Sequence, residues 1–357
     1  MPTITSQKDS KSSYHPIILS SNLKTILIIT RDPVINFRQM PNADGTTTDG
    51  RYRFVINDYD AEADFVVVSG KGLREPHTFH IAPRNTILLT GEPYGILAYP
   101  HGYCHQFGLV CSCQPQIKDA NVAYTPAILP WYVGVDFNSD GTVRFTKDYN
   151  GIANAKPKKT KLISVISSTK AFSRGHVDRL RFIRKLHDRY GDAIDIFGRG
   201  YRDFADKWDV LAPYKYHIVI ENSTSDFYFT EKLFDCYLAG TYPLYHGCRN
   251  ITDYYPADAM TRIDIRNFDE TAATIDRIMT SNEFEEKQKQ LEQCKQLSLN
   301  KYNLFNEIAR ACDKLDADGQ KTDVLLKPAS NFVSLHNLWL YTFGRNYYKL
   351  LSKIGNK

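Results

Sequence analysis

Eight short apolar runs restrict the possible folds of this chain more than any other feature of its sequence. In the first half they are "TILIIT" (25–30), "DFVVVSG" (64–70), "NTILLTGEP" (85–93) and "FGLVCSC" (107–113). In the second half they are "KLISVISS" (161–168), "AIDIFGRG" (193–200), "YHIVIEN" (216–222) and "TYPLYHG" (241–247). A strand with one face in water alternates apolar and polar residues, whereas these runs are apolar on both faces. That pattern belongs to parallel strands covered on both sides.

Helical patterns separate the second set. Over 175–190, Val177, Leu180, Ile183, Leu186 and Tyr190 recur every three or four residues among Arg179, Arg181, Arg184, Lys185 and Arg189. Over 230–239, Leu233, Phe234, Tyr237 and Leu238 share one face. Strand–helix alternation predicts βαβ units and a doubly wound sheet. The polar, Gly-containing stretch 137–161, which ends in a basic cluster, reads as a linker. The expected architecture is therefore α/β with two Rossmann-like lobes and a cleft between them: 1–150, 151–330, and a tail from 331 to 357. Ligand is expected where the strand C-termini meet the cleft. The tail carries Leu338, Trp339, Phe343, Tyr347, Leu350, Leu351 and Ile354 among Arg345, Lys349 and Lys353. It would either rest on an anionic membrane surface or pack across the lobes.

Composition narrows the class of function. At 357 residues with 42% hydrophobic and 24% charged residues, the chain can build two ordinary globular cores. A net charge of +5 suits phosphorylated substrates or an anionic membrane, and is too diffuse to indicate nucleic acid. There is no secretory leader pattern at the N-terminus and no run of membrane-spanning length, so a cytoplasmic location is expected, with possible peripheral contact at the inner membrane. Seven cysteines without regular spacing fit reduced thiols.

The segment "IVIENSTSDFYFTEK" (218–232) concentrates the candidate chemistry. A strand ends at Glu221-Asn222, and Thr230 can cap a helix that opens with Glu231-Lys232. Helix starts favour anions, so a lysine in the first turn works against the dipole and suggests an anionic ligand. Its alternative is a surface lysine on an ordinary βα unit. Upstream, "SSTKAFSRGHVDRLRFIRKL" (167–186) delivers Arg174 to a helix start at the C-terminal side of a strand, where it could grip a phosphate pair. Arg181, Arg184 and Arg189 read as a solvated basic face. His101 and His105 with Cys104, Cys111 and Cys113 match no standard metal-ligand spacing, and no metal site is expected. Trp131 and Tyr132 could stack on a sugar or belong to the core.

The stretch "YKYHIVIENSTSDFYFTEKLFDCYLAGTYPLYHG" resembles the signature segment of the α-1,3-fucosyltransferases, glycosyltransferase family 10, of bacterial type. "ISVISSTKAFSRGHVDRL", "DIFGRG" and "YYPADAMTRIDIRNFDE" extend the resemblance across 161–270, and "TGEPYG" with "VAYTPAILPWYVG" carries it into 85–134. The resemblance implies a GT-B fold, with an acceptor-binding first lobe and a second lobe that holds a GDP-fucose donor. It places Arg174 and Lys232 on the donor diphosphate. Asn222, Tyr228, Glu231 and Glu221 would line the nucleotide-sugar pocket, and Glu92 stands where the family keeps its general base. "GEP" departs from the family's commoner loop at that point, so a capping or loop acid is the alternative role for Glu92.

Those roles form one mechanism. Inversion needs a base to deprotonate the acceptor hydroxyl while the diphosphate leaves from the opposite face, and fixed cations stabilise the leaving charge. The implied activity is metal-independent, cofactor-free transfer of L-fucose to a hydroxyl of an acceptor glycan, of α-1,3 type on surface polysaccharide or lipopolysaccharide. A GT-B transferase using a different nucleotide sugar, or a silent nucleotide-sugar or glycan-binding protein, are the competing readings.

Overall fold

The computed structural model describes residues 23–118, 121–138, 140–171, 173–333, 343 and 345–354. All eight apolar runs supply strands. In the first lobe the strands are β1 (Lys24–Ile29), β2 (Tyr52–Ile56), β3 (Phe65–Ser69), β4 (His77–Ile81), β5 (Thr86–Leu89), β6 (Leu109–Ser112) and β7 (Val122–Tyr124). Among the described residues, six of them pair in parallel in the order β2-β1-β3-β5-β6-β7. The crossovers here are mostly loops; α1 (His101–His105) is a single short turn. A sheet this apolar still needs cover on both faces.

That cover comes partly from far along the chain. Ile26, Ile28, Phe65, Val67 and Ile87 point to one face and pack against Leu304, Phe305 and Ile308, which lie more than 200 residues downstream. Leu27, Ile29, Val66, Val68 and Leu88 point to the other, under Tyr99, Tyr103, Phe107, Phe79 and Leu326.

A hairpin, β8 (Val135–Phe137) with β9 (Val143–Phe145), and α2 (Tyr149–Ala153) lead into the second lobe. There β10 (Lys161–Ile166), α3 (Arg174–Tyr190), β11 (Asp195–Phe197), α4 (Lys207–Leu211), β12 (Tyr214–Ile220), α5 (Glu231–Leu238), β13 (Tyr242–His246) and β14 (Thr261–Arg262) alternate as predicted. Their sheet runs β11-β10-β12-β13-β14, all parallel. The chain travels outward from β10 to β11 and then returns to β12. The topological switch point therefore lies between the carboxyl ends of β10 and β12, where open α/β sheets leave a crevice for ligand. Helices α6 (Phe268–Thr280), α7 (Glu283–Glu286) and α8 (Gln288–Gln296) complete this lobe.

The lobe boundaries differ from the sequence expectation in two ways. Position 150 falls inside α2, and Trp131, Val133 and Ile152 already belong to the core of the second lobe. After α8 the chain crosses back: α9 (Leu304–Cys312) covers the first sheet, and β15 (Thr322–Leu326) pairs antiparallel with β4. The second lobe is thus built from residues 131–302 rather than 151–330. The physical reason is the helix-poor first lobe, whose sheet face would be left in water without α9.

Both crossings are fastened by buried polar groups. Arg38 donates to the carbonyls of Trp131 at 3.0 Å, Val133 at 3.3 Å and Lys147 at 2.9 Å. On the opposite side Asp235 of α5 accepts from the amides of Tyr132 (2.8 Å) and Val133 (3.1 Å), and Asp206 accepts from Gly134 at 2.9 Å. Asn303 caps α9 and reaches the Gln39 carbonyl at 2.6 Å. The lobes are therefore joined by a double clasp beneath the cleft.

Candidate functional site

The site begins where β12 stops. Glu221, 2% exposed, accepts from the Thr230 amide at 2.8 Å and from the Thr230 hydroxyl at 2.8 and 3.1 Å. Gly247 makes room for it: a Cβ there would lie 2.5 Å from Glu221 Cγ. Thr230 is the N-cap of α5, as its position before Glu231-Lys232 suggested, and accepts from the Lys232 amide at 3.4 Å. Its hydroxyl and Glu221 Oε2 receive Lys232 Nζ at 3.1 and 3.3 Å. Thus a helix cap, a buried carboxylate and a lysine lock one another.

Charge alternates along this edge. Glu231 lies 3.6 Å from Lys232 on one side and 3.6 Å from Lys207 on the other, and Lys207 continues to Asp235 at 2.7 Å. Burial pushes the Glu231 carboxyl up, but the two ammonium groups outweigh it and hold the group at about 2. Burial opposes the charge on Lys232, yet Glu231, Glu221 and Glu92 together raise its affinity for the proton. Glu221 moves the other way: burial lifts it above the ordinary carboxylate range, with Lys232 opposing. Lys232 is therefore held as a cation in a partly enclosed cleft, where a fixed charge acts more strongly than in water.

α3 forms the second wall. Ser173 caps it, and Gly175 lets its first turn approach the strand end, since a Cβ there would stand 2.3 Å from the Asn222 carbonyl oxygen. Arg174 sits at the helix start as expected, but its side chain is 81% exposed and, among the described residues, its ion pair is with Asp178 at 3.9 Å. One turn further, Arg179 is 6% exposed. It donates to Asn222 Oδ1 at 3.1 Å and to the Ser168 hydroxyl at 3.4 Å.

Asn222 divides the expected residues between two cavities. One, of 460 Å³, lies at the switch point and is lined by Ser167, Ser168, Arg179, Lys207, Glu231 and Lys232. The other, of 320 Å³, opens between the lobes and is lined by Pro93, Arg174, Asp178, Glu221, Asn222 and Tyr348. Glu231 and Lys232 thus share the first cavity, whereas Arg174 faces the second. Tyr228 lines neither. It is 1% exposed and packs with Cys113 and Ala127 of the first lobe.

Glu92 enters from the first lobe on the loop after β5. Its carbonyl is fixed by Gln114 Nε2 at 2.6 Å, and although the residue as a whole is exposed, its carboxyl stands among the charged groups of both lobes. The cleft walls raise its carboxyl above the ordinary range; Lys232 pulls it down, and Glu231 and Glu221 push it up. The base expected from the first lobe and the cation expected from the second therefore feel each other across the cleft. Of the remaining candidates, Trp131 is core, and the Tyr132 hydroxyl donates to Asp32 at 2.9 Å. His101 and His105 contact each other at 2.9 Å on α1. Among the described residues, no group of three or more His, Cys, Asp or Glu side chains is disposed to hold a metal ion, and the seven cysteines are free and buried.

Arg179 is the cavity-lining arginine that the sequence hid, because it sits in a run of arginines whose neighbours are solvated. The signal that marks it is its spacing: it lies three and four residues before the buried Phe182 and Ile183, on the apolar face of the helix.

Part of the chain matches a known family. Residues 156–327 match the family model "Glycosyltransferase family 10 (fucosyltransferase) C-term". A 65-residue stretch is 35% identical to the alpha-(1,3)-fucosyltransferase FucT of Helicobacter pylori, covering 18% of this chain and 14% of that protein. A solved alpha1,3-fucosyltransferase aligns over 80% of this chain and 84% of its own, with 17% identity and a TM-score of 0.48. An alpha1,3-fucosyltransferase solved with GDP aligns over 82% and 96%, with 14% identity and a TM-score of 0.45. The matched residues form most of the second parallel-sheet lobe and the walls of its switch-point cavity, so just under half of this chain is similar to the C-terminal domain of glycosyltransferase family 10.

Proposed function

We propose that the protein is an inverting fucosyltransferase that moves L-fucose from GDP-fucose to a hydroxyl of an acceptor glycan without a metal ion. One observation carries this reading: Lys232 stands at the capped N-terminus of α5, in a cavity at the switch point, ion-paired to Glu221 and Glu231, with Glu92 of the other lobe within its electrostatic reach. The second lobe holds the donor and the first lobe presents the acceptor. Glu92 takes the proton from the attacking hydroxyl as the glycosidic bond to the diphosphate breaks on the opposite face of the sugar. Lys232 and the amides of the α5 start receive the charge that develops on the leaving GDP, the work a divalent cation does elsewhere. Glu231, fixed by Lys207 and Lys232, is an ionised acceptor for donor hydroxyls. The acceptor class we propose is surface polysaccharide or lipopolysaccharide, with α-1,3 linkage.

The test of the donor class is thermal unfolding with a panel of nucleotides in the presence of a chelator. A ligand at 100 times its Kd stabilises the folded state by about 2.7 kcal/mol. GDP and GDP-fucose are expected to raise Tm by several degrees with EDTA present, and UDP is not. Stabilisation by UDP alone would assign a different nucleotide sugar. Stabilisation that vanishes with EDTA would overturn metal independence.

The tail extends this reading to the site of action. No helix among the described residues is long and apolar enough to cross a membrane. The C-terminal helix Arg345–Ile354 instead contacts α3, while Tyr347 and Leu350, with Phe343 just before it, stay more than half exposed. With exposed Lys349 on the same helix, this surface suits peripheral contact with anionic lipid. Co-sedimentation with phosphatidylglycerol vesicles is expected for the full chain, and a Tyr347→Ser/Leu350→Ser variant should lose most of it. Equal sedimentation of the two would rule this contact out. The Leu338 and Trp339 part of the tail lies outside the described residues.

A further inference from the structure

We infer that Gln114 is the positioning residue for Glu92: its side-chain amide staples the two ends of the loop that carries the carboxylate, and so sets where the base stands against the acceptor hydroxyl. This rests on the reading of Glu92 as the general base, and adds to it a residue that lies just beyond the apolar run 107–113.

The loop after β5 has little structure of its own. Residues 90–98 form no helix or strand, and glycines stand at 91 and 95. Its local order is a turn in which the Ile96 and Leu97 amides donate to the Pro93 carbonyl at 2.8 and 3.0 Å. Gln114, 1% exposed and just past the end of β6, supplies what the loop lacks. Its Nε2 donates to the Glu92 carbonyl at 2.6 Å and to the Leu97 carbonyl at 2.7 Å, so one nitrogen ties together two carbonyls five residues apart. The staple is itself fixed. The Gln114 amide donates to Ser112 Oγ at 2.9 Å, the Thr90 hydroxyl donates to that same oxygen at 3.1 Å, and the Cys113 amide donates to Thr90 Oγ1 at 3.1 Å. All four residues are buried, so the loop is referenced to the rigid ends of β5 and β6.

Stability alone does not account for this glutamine. Both of its partners are carbonyl oxygens, so the NH2 group must face them and Oε1 points the other way. There Oε1 is buried with no hydrogen-bond partner among the described residues. A buried acceptor without a donor is costly, and folded proteins hold few of them. An apolar side chain would fill the space without that cost but would release both carbonyls. What the glutamine adds is the shape of the loop. That shape matters because Pro93, Gly95 and Ile96 line the 320 Å³ interlobe cavity, while the Glu92 carboxyl stands within electrostatic reach of Lys232, Glu231, Lys170 and Glu221. A misplacement of about 1 Å at a reacting group can lower a rate by about 100-fold.

The test follows transfer from GDP-fucose to a fucose-accepting glycan in Gln114→Met, which keeps the length and burial of the side chain and removes the donor. GDP affinity is expected to stay within about twofold, because the donor wall lies in the other lobe, while kcat falls by about 10- to 100-fold. The acid limb of the pH profile should move down toward 4.5, since a loosened loop returns the Glu92 carboxyl to water and gives up the burial that raises it. Gln116→Met, at an exposed glutamine two residues on, should behave as wild type. A double-mutant cycle with Glu92→Gln separates positioning from folding. A residue that acts through Glu92 has no further effect once that carboxylate is gone, so Gln114→Met/Glu92→Gln should be no slower than Glu92→Gln alone. Multiplied losses in the double variant, an unmoved acid limb, or wild-type kcat in Gln114→Met would each overturn the assignment while Glu92 remains the base. An inactive wild type or an active Glu92→Gln enzyme would overturn the base reading and this proposal with it. If Gln114→Met does not fold, Gln114→Asn takes its place, because it keeps the amide but is one methylene too short for both carbonyls. A lowered kcat with the same shift of the acid limb in that variant supports the proposal, and wild-type kcat contradicts it.

Discussion

Replacing Lys232 with methionine is expected to reduce transfer by about 100- to 1,000-fold, the usual loss when a single fixed stabiliser of developing charge is removed. The methionine keeps most of the packing of the lysine stem, so the charge is the main change. The effect should appear in kcat as well as in GDP affinity, because the leaving diphosphate carries more charge in the transition state than in the bound donor. Stability responds differently. Lys232 and Glu221 form a pair 3.3 Å apart, with the Glu221 side chain fully buried. Breaking such a pair from one side typically costs about 3–5 kcal/mol. Here Glu221 can limit that cost by taking a proton, since burial already raises its pKa. Lys232→Met/Glu221→Gln should therefore recover the Tm lost in the single variant while remaining inactive. Recovery of activity along with Tm would show that the lysine acts only through folding.

The charge chain also sets a pH window. Glu231 is depressed from 4.5 to about 2, so its contribution to stability is in place above 4.5 and is lost as pH falls through about 2. Lys232 is raised from 10.5, so its contribution holds below 10.5 and is lost only as pH rises through its raised value. Glu231 and Lys232 should therefore both stay charged across the whole physiological range.

Glu92→Gln is expected to keep GDP binding within about twofold and to lose transfer by about 100- to 10,000-fold, the range for removing a general base. The amide preserves the shape and the carbonyl contact with Gln114, so folding should be unaffected. In the wild type, activity should fall on the acid side through a pKa above 4.5, because enclosure raises the Glu92 carboxyl. Conservative loss of the opposing cation, as in Lys232→Met, should move that limb to still higher pH in whatever activity remains. An acid limb below 4.5, or an active Glu92→Gln enzyme, would place the base elsewhere.

How much of this was readable in the sequence follows from which residues carry two constraints at once. Strands such as β3 and β12 are buried on both faces, so their runs stand out. β2 could not be seen the same way, because at the sheet edge it alternates buried Tyr52 and Phe54 with exposed Arg53. The β12–loop–α5 segment was legible because a strand end, a cap and a first turn each restrict residue type over a few positions. α9 was not, because its apolar face matches a helix-poor sheet more than 200 residues away, and no local pattern encodes that distance. The double clasp through Arg38, Asp206 and Asp235 was hidden for the same reason. Arg174 was legible by position at a helix start, but position does not set burial. Whether it or Arg179 turns inward is decided by Asn222 and Gly175, which meet α3 only in three dimensions.

The central claim is that the cavity holding Lys232 binds a guanosine diphosphate sugar and expels GDP without a metal. Its most direct measurement is GDP release from GDP-fucose in EDTA, followed for wild type and Lys232→Met with and without a fucose-accepting glycan. The account predicts release that the glycan accelerates, that EDTA leaves unchanged and that Lys232→Met nearly abolishes. Release that requires a divalent cation, or that proceeds at the wild-type rate in Lys232→Met, would contradict it.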